Sequence, residues 1–193
     1  MIDKINNWII KRYINNCGDI SDYDKVRISY SLDLVLGEGE KLMLLMLFFM
    51  LFEKTFFLML ALSVLMSLRI YIGGIHFSTR FRCFSFTLFF FICVYFFSSL
   101  IYVNKIIGLM ICGVALVNIC LCAPLASKHR ILVSEKGKIK LKKRAMIVMI
   151  VWLVVYIMSS VGVSNIIIWT VTIQQLEILY YKMNLLRKDE KKY

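Results

Sequence analysis

Residues 42–68 read LMLLMLFFMLFEKTFFLMLALSVLMSL, 27 positions with one charged interruption at Glu53-Lys54. They form either one long tilted helix or the inner portions of two helices joined at that pair. Two helices require the first to begin near Ser31, which brings Asp33, Glu38 and Glu40 to the edge of a bilayer or into it. Carboxylates there cost several kcal/mol each, about 2.5 or more, unless they face the bundle interior.

Positive charge decides between the two. The leader carries Lys4, Lys11, Arg12, Lys25 and Arg27, and the connection after residue 68 carries Arg69, Arg80 and Arg82. The segment 127–144 holds eight Lys or Arg against Glu135 alone, and the tail adds Lys182, Arg187, Lys188, Lys191 and Lys192. All four belong on the cytoplasmic side. The links at Glu53-Lys54, Asn104-Lys105 and Ser164-Asn165 carry little positive charge, as outside turns should. This alternation closes with six spans; with five, the leader and the first connection would share a side although one crossing separates them.

Composition agrees. Hydrophobic residues make up 60% of the 193, and the net charge is +12, against roughly 45–50% apolar in soluble domains. The expected fold is all-α: a polytopic membrane helix bundle of six helices, with a bent, re-entrant loop on the cytoplasmic side. One membrane domain covers 1–193. It comprises an amphipathic cytoplasmic leader (1–30), a first helix pair (31–68), a connection (69–83), a second pair (84–126), a basic loop (127–144), a third pair (145–181) and a tail (182–193). Apolar runs at 84–103, 106–126 and 145–163 approach the ~20 residues a spanning helix needs, and 165–181 is more polar. Ile2, Ile5, Ile9 and Tyr13 give the leader one apolar face for the inner leaflet. Its mixed charges do not suit a cleavable signal, so the amino terminus is expected to be retained, with both termini cytoplasmic.

Four of the six cysteines, Cys93, Cys112, Cys120 and Cys122, fall within predicted spans, where a thiol packs as a small apolar side chain. A metal centre is not expected: zinc wants three or four ligands, and apart from His76 only His129 is available. No cofactor is expected. Nucleic acid is excluded as a partner for want of a folded basic domain. The basic loop faces an anionic inner leaflet, worth about 1 kcal/mol per basic residue near the surface, or captures an acidic peptide.

Covalent chemistry is plausible in one place. The connection RIYIGGIHFSTRFRC (69–83) sets His76 and Cys83 at the bilayer edge, a base and a nucleophile. On a straight helix, seven residues would part them by about 10 Å; proton transfer needs roughly 2.6–3.2 Å or one bridging water. The chain must therefore bend back, and Gly73-Gly74 supplies the freedom. Cys83 would open the next helix, where the amino-terminal dipole, Arg80 and Arg82 attract negative charge. Asp33, Glu38 or Glu40 could orient His76, or could pair with Lys41 or Arg69. Thr170, Gln174 and Glu177 form a polar stripe on the last span, expected to face inward, lining a peptide cavity or bonding between helices.

Arg69, Gly73-Gly74-Ile75-His76 and Cys83, leading into an aromatic-rich span, resemble AgrB, the accessory gene regulator B peptidases of bacterial quorum sensing. The likeness extends to length, to the six-span layout and to Ala123-Pro124 before the polar loop. It implies a membrane-embedded cysteine endopeptidase of the cell membrane, with Cys83 as nucleophile and His76 as base. It would cut the carboxyl-terminal tail from a small AgrD-like precursor signal peptide through a thioester and promote cyclisation to a thiolactone or lactone autoinducing peptide. A homodimer is implied by the family alone. The competing readings are a small transporter or export channel for a peptide or ion, using the first-span carboxylates and the polar stripe, and a structural membrane adaptor.

Overall fold

The computed structural model describes residues 22–74, 79–125 and 135–190. Every regular element among them is an α-helix: α1 (Asp22–Leu51), α2 (Thr55–Ile72), α3 (Arg80–Leu100), α4 (Lys105–Cys122), α5 (Glu135–Met158) and α6 (Val161–Glu190). The chain forms two compact units, Met1–Lys54 and Thr55–Tyr193.

In the first unit, α1 stops at the charged interruption of the 42–68 run. Glu53 takes a left-handed φ of 57°, and the amides of Glu53 and Lys54 bond back to the carbonyls of Met50 and Phe49 at 3.0 and 2.9 Å. These bonds satisfy carbonyls that a helix end leaves open. Two helices, not one, therefore occupy the stretch. Phe48 packs against Phe49 and Phe52 in the last turn.

The second unit is an up-and-down bundle of five helices, and its hydrogen bonds fix the directions. Phe57 at the start of α2 meets Tyr95 near the end of α3. The Lys105 ammonium at the start of α4 donates to the Ile157 carbonyl at the end of α5. Asn165 and Trp169 in the first turns of α6 donate to Ile101, just past α3. At the opposite end the Leu125 amide, beyond α4, donates to the Ile72 carbonyl at the end of α2 over 2.8 Å. One end thus gathers the starts of α3 and α5 with the ends of α2, α4 and α6. There stand Arg69, Arg82, Lys182 and the lysines of the first turns of α5, while Lys105 stands at the other end.

Helix α6 is central and packs against α2, α3, α4 and α5. Its Ile167, Ile168, Val171 and Ile178 are buried with Val64, Leu68 and Ile72 of α2, Cys112, Ala115 and Ile119 of α4, and Ala145 and Met149 of α5. The outside is equally apolar: Phe56, Met66, Phe89, Phe96, Met110, Val117 and Ile147 are all exposed. A bundle apolar on both surfaces, with its polar side chains turned inward, is built for lipid. Helices Thr55–Ile72, Phe81–Leu100 and Lys105–Cys122 are each long and apolar enough to cross a bilayer; at 1.5 Å per residue, 18 residues reach about 27 Å. The chain is a membrane protein.

Several boundaries differ from the sequence reading. Helix α3 starts at Arg80 rather than 84, so Cys83 lies inside its first turn. Helix α5 starts at Glu135, so residues 136–144 of the expected basic loop are helical. Lysine is a good helix former, and Glu135 pairs with Lys138 one turn on. Helix α1 likewise begins within the expected leader, at Asp22.

Candidate active site

Helix α2 ends on a glycine used for its geometry. Gly73 has φ 94°, and its amide bonds the Arg69 carbonyl at 2.8 Å, a left-handed cap that residues with a Cβ enter at a cost. Gly74 is buried directly beneath the Arg69 side chain, and a Cβ there would overlap the guanidinium. The guanidinium in turn pairs with the Glu177 carboxylate of α6, Nη2 to Oε1 3.0 Å; the side chains are 22% and 6% exposed. Glu177, more than a hundred residues away in sequence, is thus joined through Arg69 to the Gly73-Gly74 turn.

Cys83 lies four residues beyond Thr79, the residue preceding α3. Its amide bonds the Thr79 carbonyl at 3.2 Å, and its own carbonyl accepts from the Thr87 hydroxyl at 2.9 Å. The thiol is half-buried and in no disulfide. It sits at the basic end of the bundle, as do Arg69 and Gly74. His76 lies outside the described residues, as does His129. Glu38 of α1 pairs with Lys41, the structural option foreseen for it. Asp33 is in the same helix, and its side chain lies outside the described residues.

The stripe on α6 is buried throughout: Thr170, Gln174 and Glu177 are at most 8% exposed. Thr170 returns its hydroxyl to the Ile166 carbonyl at 2.7 Å. Gln174, 2% exposed, has no partner for its amide oxygen or nitrogen among the described residues. Both atoms are buried, a state polar groups rarely hold without a partner.

Sequence reasoning missed two polar clusters. Asn118 of α4 donates to the Gln175 side-chain oxygen Oε1 at 2.7 Å and accepts from the Cys122 thiol at 3.0 Å; the Lys182 ammonium lies 3.5 Å from that sulfur. Asn165 closes the α3–α4 link at the other end, donating to the carbonyls of Ser98 and Ile101 and accepting from the Val103 amide. The signal for both was an amide side chain in an apolar span, where it needs a partner from another helix. Arg69 and Glu177 carried a similar signal, opposite charges each in an apolar helical stretch. Among the described residues no three His, Cys, Asp or Glu side chains are grouped to hold a metal ion.

The arrangement offers a thiol at a helix start, a sharply turned glycine pair and a partly buried ion pair, all at one end of a bundle set in lipid. The family profile described as accessory gene regulator B, AgrB, matches residues 2–178. A Clostridium beijerinckii protein named as AgrB-like is 24% identical over 182 residues, covering 93% of this chain and 89% of that protein. No solved structure gives a match. By a profile match that runs from the leader into the last helix, the chain belongs to the accessory gene regulator B family.

Proposed function

We propose that the chain is a membrane-embedded cysteine endopeptidase that removes the carboxyl-terminal tail of a short AgrD-like precursor peptide and promotes its cyclisation to a quorum-sensing signal. Family membership supports the peptide-processing role, and the observation that carries the chemistry is Cys83 in the first turn of α3, half-buried at the basic end of the bundle. All six helices cross the bilayer in this reading, both termini are cytoplasmic, and the basic end meets the anionic inner leaflet. The active form is a homodimer, as the family likeness implies.

The Cys83 sulfur, its proton taken by His76, attacks the scissile carbonyl carbon. The carbon–nitrogen bond breaks, His76 returns the proton to the departing amine, and the peptide stays on Cys83 as a thioester. An upstream thiol of the same peptide then attacks that carbonyl, closes the ring as a new thioester and restores the Cys83 thiol. One thioester replaces another, so the ring-closing step needs no external energy if water is kept from the intermediate. A hydroxyl in place of the peptide thiol would give a lactone. Basic side chains at this end suit an acidic tail as the leaving piece.

The test is co-expression with the precursor and mass spectrometry of the peptide. Wild type should yield the shortened product; Cys83→Ala and His76→Ala, present in the membrane at equal level, should yield none. A transporter would move its cargo with Cys83→Ala unimpaired, and that result would remove the peptidase reading.

A further inference from the structure

We infer that the first turns of α5 form a binding site for the phosphate headgroups of anionic lipids, built from Lys136, Lys140, Lys143 and Arg144 on the side of the helix turned away from the bundle. The inference takes from the proposal above only that α5 crosses the bilayer; it does not depend on the chemistry at Cys83.

The six cations of residues 136–144 fall on two sides of one helix. At about 100° per residue, Lys136, Lys140, Lys143 and Arg144 share a sector of roughly 100°, and Lys138 and Lys142 lie about opposite it. The core-facing residues of α5, Ala145, Met149 and Tyr156, fall on the sector of Lys138 and Lys142. Lys142 is half-buried, and Lys138 pairs with Glu135 at 2.7 Å. The other four cations are exposed, and among the described residues no carboxylate pairs with them. Farther along the same outward sector stand Ile147, Ile150, Val151 and Val154, all exposed. One stripe therefore changes from cationic to aliphatic between Arg144 and Ile147, a step of about 4.5 Å along the axis. That step matches the passage from headgroups to acyl chains.

Packing sets the depth. The Lys105 ammonium of α4 meets the Ile157 carbonyl of α5, and Gly108 lies against Tyr156. Followed along the two antiparallel helices, this register brings Cys122, where α4 ends, level with residues 140–142 of α5. Helix α4 is long and apolar enough to cross the bilayer, so Lys143 and Arg144 stand at or just within the depth where it leaves the hydrocarbon. An outward charge there is costly unless its long stem carries it to the headgroups. The Arg144 fork suits two phosphate oxygens at once, and the lysines add point charges beside it.

The direction of the stripe selects lipid over an acidic peptide. Helix α5 packs against α2, α4 and α6, whereas α3, which bears Cys83, packs against α2 and α6. The outward cations thus meet the surrounding lipid rather than the surface beside the thiol.

The experiment titrates the full chain, purified in a zwitterionic detergent, with phosphatidylglycerol or phosphatidylcholine and counts bound lipid by native mass spectrometry. Wild type should prefer phosphatidylglycerol, and each outward cation removed should weaken that lipid by about fivefold. Lys143→Gln/Arg144→Gln should therefore lose about 25-fold, with phosphatidylcholine binding unchanged, and removal of all four cations should lose more. The double variant decides the matter if the quadruple one does not fold. Lys138→Gln/Lys142→Gln should lose about threefold or less, because charges across a helix about 10 Å thick are screened. Lys143→Arg should bind as wild type. Inorganic phosphate, compared with chloride at equal ionic strength, should leave the lipid in place; displacement by it would mark a free-anion site and overturn the inference. Equal losses in the outward and bundle-side variants, matched in thermal stability, would overturn it as well, since net charge alone would then explain the preference. So would unchanged lipid binding with a raised KM for the precursor peptide, which would give the stripe to the peptide. Cys83→Ala should bind lipid as wild type, and tail release by that variant would remove the peptidase reading while leaving the lipid site standing.

Discussion

Gly108 of α4 faces the Tyr156 ring of α5 so closely that a Cβ on the glycine would overlap the phenol oxygen. That oxygen is buried and without a partner among the described residues. The α4–α5 approach is therefore set by the absence of a side chain, as close helix packing in lipid often is. Gly108→Ala should destabilise the bundle by about 1–3 kcal/mol, the usual range for overpacking. Tyr156→Phe should be neutral or mildly stabilising, because it removes an unsatisfied hydroxyl, and the double variant should recover part of the loss. Denaturant titration of the protein in detergent would measure all three.

Asn165 replaces the helical hydrogen bonds that the α3–α4 link gives up. Its side chain serves the carbonyls of Ser98 and Ile101 and the amide of Val103. Asn165→Leu should cost about 1–3 kcal/mol, the penalty for stranding a buried polar group. The same titration checks this, and amide exchange at residues 101–104 should rise in parallel.

Gln174 gives the opposite expectation. With both amide atoms buried and without a partner among the described residues, Gln174→Leu should leave stability unchanged or raise it, because replacing an unsatisfied group by an apolar one of similar size removes a penalty. If that variant is stable and yet slow in tail cleavage with a raised KM, the amide is a contact for the peptide backbone. Unchanged kinetics would assign it to packing alone.

The break at Glu53-Lys54 was legible in the sequence, because a charge pair between apolar runs is costly inside a membrane and cheap at its edge. So was the start of a helix at the cysteine, to within a few residues, since Thr79, Arg80 and Arg82 are polar or basic and 84 onward is rich in aromatics. The inward stripe on α6 followed from its spacing. The helical state of residues 136–144 was not legible: lysines mark a side of the membrane, but they also favour helix, and charge counting answers only the first question. Nor was the Arg69–Glu177 pair, which was sought in the carboxylates of the first span. Periodicity says which face of a helix is polar, but it does not say which of several helices meets that face. His76, the residue on which the chemistry most depends, lies outside the described residues.

Orientation has its own test. In a chain otherwise lacking cysteines, a membrane-impermeant maleimide added outside intact cells should label Tyr102→Cys, at the end that holds Lys105. It should spare Lys138→Cys and the native Cys83 until the cells are opened. Labelling of Cys83 from outside would invert the assignment and separate the site from a cytoplasmic precursor.

A covalent bond between the peptide and the Cys83 sulfur is the central step of the proposed reaction. Incubating the protein in nanodiscs with the precursor peptide, quenching in acid and weighing the intact protein should reveal an adduct equal to the peptide without its tail. The adduct should be released by hydroxylamine, map to Cys83, and be absent from Cys83→Ala. Tail release at the wild-type rate by Cys83→Ala, or release with no adduct at any time after mixing, would contradict it.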